Sequence, residues 1–140
     1  MTTTTPIQGG CACGRVRYEL RSQPFDTGYC HCRICQRTTG APVLAWASFP
    51  VGSFSYTRGE PTLYPSSNHG HRELCAQCGT QVAYRDNVAT TVDLNVGSLD
   101  EPDRITPTCH IWCESRIPWL TIADDLPRFV RSKAVGERFS

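Results

Sequence analysis

Residues 29–40 read YCHCRICQRTTG, with three cysteines spaced C-x-C-x-x-C inside six residues. This stretch constrains the fold more than any other. A peptide that short can wrap one soft cation and point the sulfurs of Cys30, Cys32 and Cys35 at it. Zn²⁺ suits such a set, because it prefers thiolate and imidazole ligands in a tetrahedron. Three local sulfurs fill three corners. The fourth corner is closed by a distant residue in a structural site, or left to water or substrate in a catalytic one.

The other cysteines bear on that choice. The chain has nine, an odd number that rules out a fully paired disulfide framework within one chain. In a reducing compartment, clustered cysteines bind metal or do chemistry more often than they pair. Cys11 and Cys13 sit in GGCACG, where the flanking glycines allow the turn that would bring both sulfurs to one ligand. Cys75 and Cys78 form a C-x-x-C-G knuckle, which offers two sulfurs to one metal. Two plus two makes a closed site of Cys11, Cys13, Cys75 and Cys78, stapling the N-terminal segment to the middle of the chain. The triplet would then keep its own metal with one position open. Spacing alone leaves another arrangement, in which the triplet recruits Cys109, Cys113 or a histidine. Otherwise Cys109 and Cys113 read as small buried hydrophobes. His31, between two ligands, should point away from the metal. His69 and His71 read as solvated in a polar loop, and His110 is the histidine with a functional reading. Trp46, Trp112 and Trp119 read as core.

Around these sites the pattern is all-β. Short β-favourable runs alternate with turns, at residues 15–20, 43–49, 54–57, 63–64, 81–85 and 90–96. One short helical turn is expected over residues 33–39, stopped by Gly40. At 140 residues the chain fits one domain, spanning residues 8–130, with a flexible leader over 1–7 and a solvated tail over 131–140. With 39% hydrophobic residues, ten prolines and eleven glycines the core is thin. Metal would pin it, since metal-binding energy becomes folding energy. No run approaches the roughly 20 apolar residues of a membrane span. The first residues lack a signal-peptide pattern, so a soluble cytoplasmic protein is expected. A net charge of +1 without a basic stripe argues against nucleic acid as partner.

Several spaced motifs agree with one family. They are GGCACG at 9–14 with Arg17, Tyr18 and Glu19, CHCRICQRTTG at 30–40, and Ser66, Ser67 and Arg72 with CAQCGT at 75–80. Further on come GSLDEP at 97–102, His110, Ile111 and Trp112, then Arg116, Pro118 and Trp119. From about residue 8 to 130 the chain resembles the family of the glutathione-dependent formaldehyde-activating enzyme and centromere protein V. Cys109 and Cys113 stand outside that pattern. The resemblance implies a small zinc-bearing β-tent with two zincs per chain. One, structural, would sit on Cys11, Cys13, Cys75 and Cys78; the other, catalytic, on Cys30, Cys32 and Cys35. It also implies a carbon–sulfur lyase joining glutathione and formaldehyde into S-hydroxymethylglutathione.

Chemistry suits an open three-sulfur site. Three thiolates make the metal a weak activator of water, yet a fourth thiol remains a good ligand, and the thiolate is the nucleophile. The expectation is that an external thiol, with glutathione as candidate, attacks a small aldehyde there. His110 would shuttle a proton to the developing alkoxide. Arg33, Arg37 or Arg72 would bind substrate carboxylates. The rival readings are a non-catalytic zinc module that binds a protein partner, a zinc-ribbon-like nucleic-acid binder and a thiol redox switch.

Overall fold

The structure, a computed structural model, describes residues 5–88 and 90–140. Among these residues ten strands form two sheets. β1 (Ile7–Gly10), β2 (Arg17–Leu20) and β5 (Phe54–Arg58) make a three-stranded antiparallel sheet in the order β1-β2-β5. The remaining strands are β3 (Asp26–Cys30), β4 (Leu44–Pro50), β6 (Thr62–Tyr64), β7 (Gly70–Leu74), β8 (Gln81–Asp86), β9 (Thr91–Asn95) and β10 (His110–Ile111). They form a seven-stranded sheet in the order β10-β3-β4-β9-β8-β7-β6, antiparallel except where β10 runs parallel to β3. One helix, α1 (Arg33–Thr39), follows the triplet directly.

Two faces of the large sheet divide the labour. In β4, Ala47 and Phe49 point one way and Trp46 and Ser48 the other, as the period of two requires. Register pairs Ala47 with Leu94 and Phe49 with Val92 of β9. These four have no exposed surface, and they pack with Ile7, Tyr18, Leu20, Phe54, Val82 and Ala83 to join the two sheets. Fully burying a side chain of this size is worth about 1.5–3 kcal/mol. On the opposite face, Ser48 pairs with Asp93, Asp93 with Tyr84, and Tyr84 with Arg72. A polar row thus crosses four strands of the sheet. That row is the floor of the candidate site.

A second link between the sheets is polar. Tyr56 on β5 donates its hydroxyl to Glu73 Oε1 at 2.6 Å. Glu73 Oε2 accepts from His71 Nε2 at 2.8 Å, and Arg85 forms an ion pair with the same carboxylate, its Nη2 donating to Oε1 at 3.4 Å. His71 therefore belongs to β7 and to this network, not to the solvated loop read from sequence.

Both ends of the chain differ from expectation. Residues 1–4 of the leader lie outside the described residues. Ile7 is a buried core residue in β1, so it belongs to the fold. The tail is not merely solvated. Phe129 bridges to Arg138, Val130 donates to Glu137 O at 2.8 Å, and Phe139 donates to Arg128 O at 2.8 Å. This turn lies along β10, where Phe129 N–H donates to His110 O at 2.9 Å. No helix among the described residues is long and apolar enough to cross a membrane.

Candidate metal centres and cavity

The sulfurs of Cys11, Cys13, Cys75 and Cys78 lie within 4.8 Å of one another. Cys13 is 3.6 Å from Cys11 and 3.7 Å from Cys75, sulfur to sulfur. Four Zn–S bonds of about 2.3 Å in a tetrahedron would set sulfurs about 3.8 Å apart, so the donor set fits zinc. Cys11 follows β1, and Cys75 follows β7. Cys75 N–H donates to Thr80 O at 2.9 Å, Gly79 N–H to Cys75 O at 2.8 Å, and Ala12 N–H to Thr80 Oγ1 at 3.0 Å. The first two bonds shape the second knuckle, and the third joins it to the first.

Cys30, Cys32 and Cys35 form the second cluster, again within 4.8 Å, with Cys30 and Cys35 sulfurs 3.3 Å apart. Cys30 ends β3. Cys32 is the N-cap of α1, its sulfur accepting from Cys35 N–H at 3.3 Å, and Gly40 closes the helix at φ 71° by donating to Gln36 O. The spacing works because the cap and the first helical turn bring residues three apart to one side. Among the described residues no fourth His, Cys, Asp or Glu joins the set. Cys109 is buried beside Thr27 O at 3.5 Å, and Cys113 is buried too. Hydrogen bonds from the Cys30 and then the Cys35 thiol hold the Cys32 thiol low, and the same exchange raises Cys30. Arg72, also buried, donates to Cys35 Sγ at 3.7 Å and stacks on Tyr84 at 5.0 Å.

The three sulfurs open on a cavity of about 530 Å³. Leu44, Trp46, Ile111 and Trp112 make its apolar wall, and Arg33, Arg72 and His69 supply charge or polarity. Arg37 is exposed and does not line it. Trp112 stands at φ 58°, in the left-handed region, held by its N–H to Arg131 O at 3.0 Å. Trp46 is buried as expected, whereas Trp119 is 74% exposed and is not core.

The floor holds groups that sequence reading missed: Ser48, Asp93 and Asn95. Ser48 Oγ donates to Asp93 Oδ1 at 2.5 Å. Burial raises the Asp93 carboxyl above its ordinary value of 3.8; Asp86 and Asp26 add to the rise, and the Ser48 bond and Arg72 oppose it. An acid raised in the fold makes a stability cost that is absent below pH 3.8 and complete once pH exceeds the folded value. Asp93→Asn, which keeps the Ser48 bond, is therefore expected to melt about 3 °C above wild type at pH 7.5. Calorimetry should show that gap closing as pH falls toward 4. A lower melting point at pH 7.5 would contradict it.

His110 lies elsewhere. β10 pairs His110 with Tyr29 and Ile111 with Cys30. Strand alternation then puts Ile111 on the sulfur side and His110 on the other face. Its ring stacks on Tyr29 at 4.8 Å, its Nε2 bonds Asp124 Oδ2 at 2.9 Å, and its Nδ1 bonds His31 Nε2 at 2.9 Å. The proton shuttle expected of His110 does not fit this placement, because both ring nitrogens are engaged and neither lines the cavity. His31 points away from the sulfurs into that stack. Burial, then His110, lowers it to about 4. Gln36 Nε2 braces the same turn, donating to His31 O at 2.7 Å and Ser115 O at 3.1 Å.

Two packed sheets, a closed four-cysteine cluster and a three-cysteine cluster facing a cavity define a small all-β domain with two candidate metal sites. The sequence profile described as glutathione-dependent formaldehyde-activating enzyme matches residues 6–115. The chain belongs to the glutathione-dependent formaldehyde-activating enzyme family. It is also similar to the crystal structure of a Rhodobacter sphaeroides protein, with a TM-score of 0.54 and 25% identity over 71% of this chain and 91% of that one. No curated protein matches it.

Proposed function

We propose that this protein is a zinc-dependent carbon–sulfur lyase that makes and breaks an adduct between a small thiol, with glutathione as first candidate, and a small aldehyde such as formaldehyde. One observation carries the reading: the Cys30, Cys32 and Cys35 sulfurs lack a fourth protein donor among the described residues and face a 530 Å³ cavity. Zinc held by these sulfurs would supply a Lewis-acid corner at which an incoming thiol stays deprotonated. The remaining work falls to the chain. Arg72, 3.7 Å from Cys35 Sγ, offsets the charge of clustered thiolates. Arg33 and Arg72 are placed to take substrate carboxylates. The apolar wall of Leu44, Trp46, Ile111 and Trp112 excludes water from the adduct. His110 enters as a positioning residue: with Asp124 it holds His31, and so the peptide between Cys30 and Cys32. Clustered unpaired cysteines suit the cytoplasm, where thiols stay reduced, as the compartment of this reaction.

Zinc content with and without millimolar glutathione, followed by X-ray absorption at the metal, tests this. Two zincs per chain are expected, one of them gaining an exchangeable non-protein sulfur or leaving with glutathione. One zinc, or two four-sulfur sites indifferent to glutathione, would overturn the proposal in favour of a non-catalytic zinc-binding interaction module.

A further inference from the structure

A second cavity, of about 420 Å³, adjoins the one that the three sulfurs face. Leu44 and Asn95 line both. Leu44 and Trp46 are two apart on one face of β4, and register sets Asn95 of β9 opposite Trp46. Both cavities therefore lie on the same face of the large sheet. Helix α1 spans them: Arg33, Ile34 and Cys35 at its start line the first, and Thr38 and Thr39 at its end line the second. Residues three and four apart share one side of a helix, and both threonine hydroxyls donate to Cys35 O, at 3.4 and 2.6 Å. A rise of about 1.5 Å per residue sets these threonines about 5 Å from Cys35 along α1. The walls of the second cavity differ in chemistry from those of the first. Thr38, Thr80, Asn95 and Ser98 line it, and among the described residues no Asp, Glu, Lys, Arg or His does. An unused acceptor stands where the two cavities meet. Asn95 is 7% exposed, and its Nδ2 donates to Gln81 O at 2.9 Å. Its Oδ1 has no hydrogen-bond partner among the described residues, yet it is not sealed from solvent.

We propose that this second cavity binds the peptide arm of the thiol, with Asn95 Oδ1 accepting an amide N–H at the junction. This rests on the reading of the triplet as a thiol site. The thiol partner is then a peptide thiol of the glutathione type rather than a thiol without an amide. A peptide bond brings N–H and C=O groups without charge, which suits walls of hydroxyls and amides. Burying a charge among such neutral groups would cost free energy that they do not return. The charged ends of the thiol therefore lie outside this cavity, and Arg33, exposed at the rim of the first, is placed to meet one of them. Glutathione carries a peptide N–H on each side of its cysteine, a few bonds from the sulfur, and that spacing matches the short step along α1 from Cys35 to the second cavity. A thiol without an amide would leave the Asn95 oxygen unpaired, the mismatch by which a polar site rejects an analogue.

The test uses the zinc-loaded full chain and two readouts. S-methylglutathione keeps the peptide arm and blocks the sulfur, so its binding, followed by calorimetry, reports the arm alone. Saturable binding is expected, with S-methylcysteine at least about tenfold weaker. Gly97 lines the second cavity, its Cβ position meets no atom within 4 Å, and its φ lies outside the left-handed region. Gly97→Phe therefore narrows the cavity without displacing a neighbour, and it should weaken S-methylglutathione at least about tenfold. Thr38→Phe, from the helix side, asks the same question if the first variant fails to melt cooperatively. Equal binding of the two probes, or wild-type binding by a folded variant, overturns the subsite. Separately, exchange of the formaldehyde adducts of glutathione and of 2-mercaptoethanol is compared. The ratio of kcat/KM values should favour glutathione and fall about tenfold in Gly97→Phe. General damage to the fold would lower both rates and leave the ratio where it was, which would also count against the subsite. If wild type exchanges neither adduct faster than buffer, the thiol–aldehyde reading fails, and the S-methylglutathione titration still decides the peptide site.

Discussion

Cys75→Ser is expected to abolish the cooperative fold. Cys75 is 1% exposed and packs with Cys11 and Val16, so its thiol lies inside a small cluster of its own. The cluster ties the turn after β1 to the turn after β7, residues 62 apart between Cys13 and Cys75. Those turns belong to different sheets. If the cluster holds a structural zinc, as proposed, losing one ligand would forfeit much of a binding energy of about 10–16 kcal/mol. The whole stability of an ordinary domain is about 5–15 kcal/mol. The serine also leaves a buried hydroxyl where a thiolate stood. Far-UV circular dichroism and metal analysis of the purified variant should show no sharp melt and less than one equivalent of metal. A variant melting within a few degrees of wild type would mean that the four sulfurs hold nothing structural.

Cys32→Ser should behave in the opposite way, folding well and losing the chemistry. Cys32 caps α1 by accepting from Cys35 N–H, and serine is among the best residues at an N-cap. The substitution keeps the cap and removes a sulfur, separating two roles that one side chain combines. Metal content should fall from two equivalents to one. Thermal melting should change little, because the four-cysteine cluster and the core around Phe49 and Leu94 are untouched. Exchange of the glutathione–formaldehyde adduct should fall by at least about 10²-fold. Retention of both metals and of exchange would remove Cys32 from the ligand set.

The contrast between these residues also shows what a sequence discloses. Local chemistry was legible: the C-x-C-x-x-C and C-x-x-C spacings map onto turns and a cap whose geometry depends on a few neighbouring residues. The helix over Arg33–Thr39 and its stop at Gly40 belong to the same class. The apolar run of β4 and the β-branched start of β9 were legible too. β3, DTGYC, was not, because Asp, Gly and Cys carry little strand preference of their own. It is a strand because β4 and β10 flank it. The floor of the cavity was hidden for a related reason. Ser48 and Asp93 alternate with core residues, which in a single strand reads as solvent-facing. Only the packing of α1 and the β10 region over that face turns it inward. The signal that could have found them is the match of two polar positions on two strands that pair in register. For His110 the missing information was the strand pairing, because strand parity sends its ring to the face opposite the sulfurs.

The parallel pairing of β10 with β3 sets an order of events in synthesis. The last ligand of the four-cysteine cluster is Cys78, so that cluster can close once the first knuckles have left the ribosome. The cavity beside the triplet needs Ile111, Trp112 and Ser115, and β10 is in turn covered by residues 127–131. A growing chain therefore has all four cysteines of the first cluster before it has the wall of the cavity. The three thiols of the knuckle spend that interval without their wall, exposed to whatever metals and oxidants the surroundings carry. Loading of a metal at the triplet would then depend on timing as well as affinity, with rapid completion of the chain favouring the correct ion.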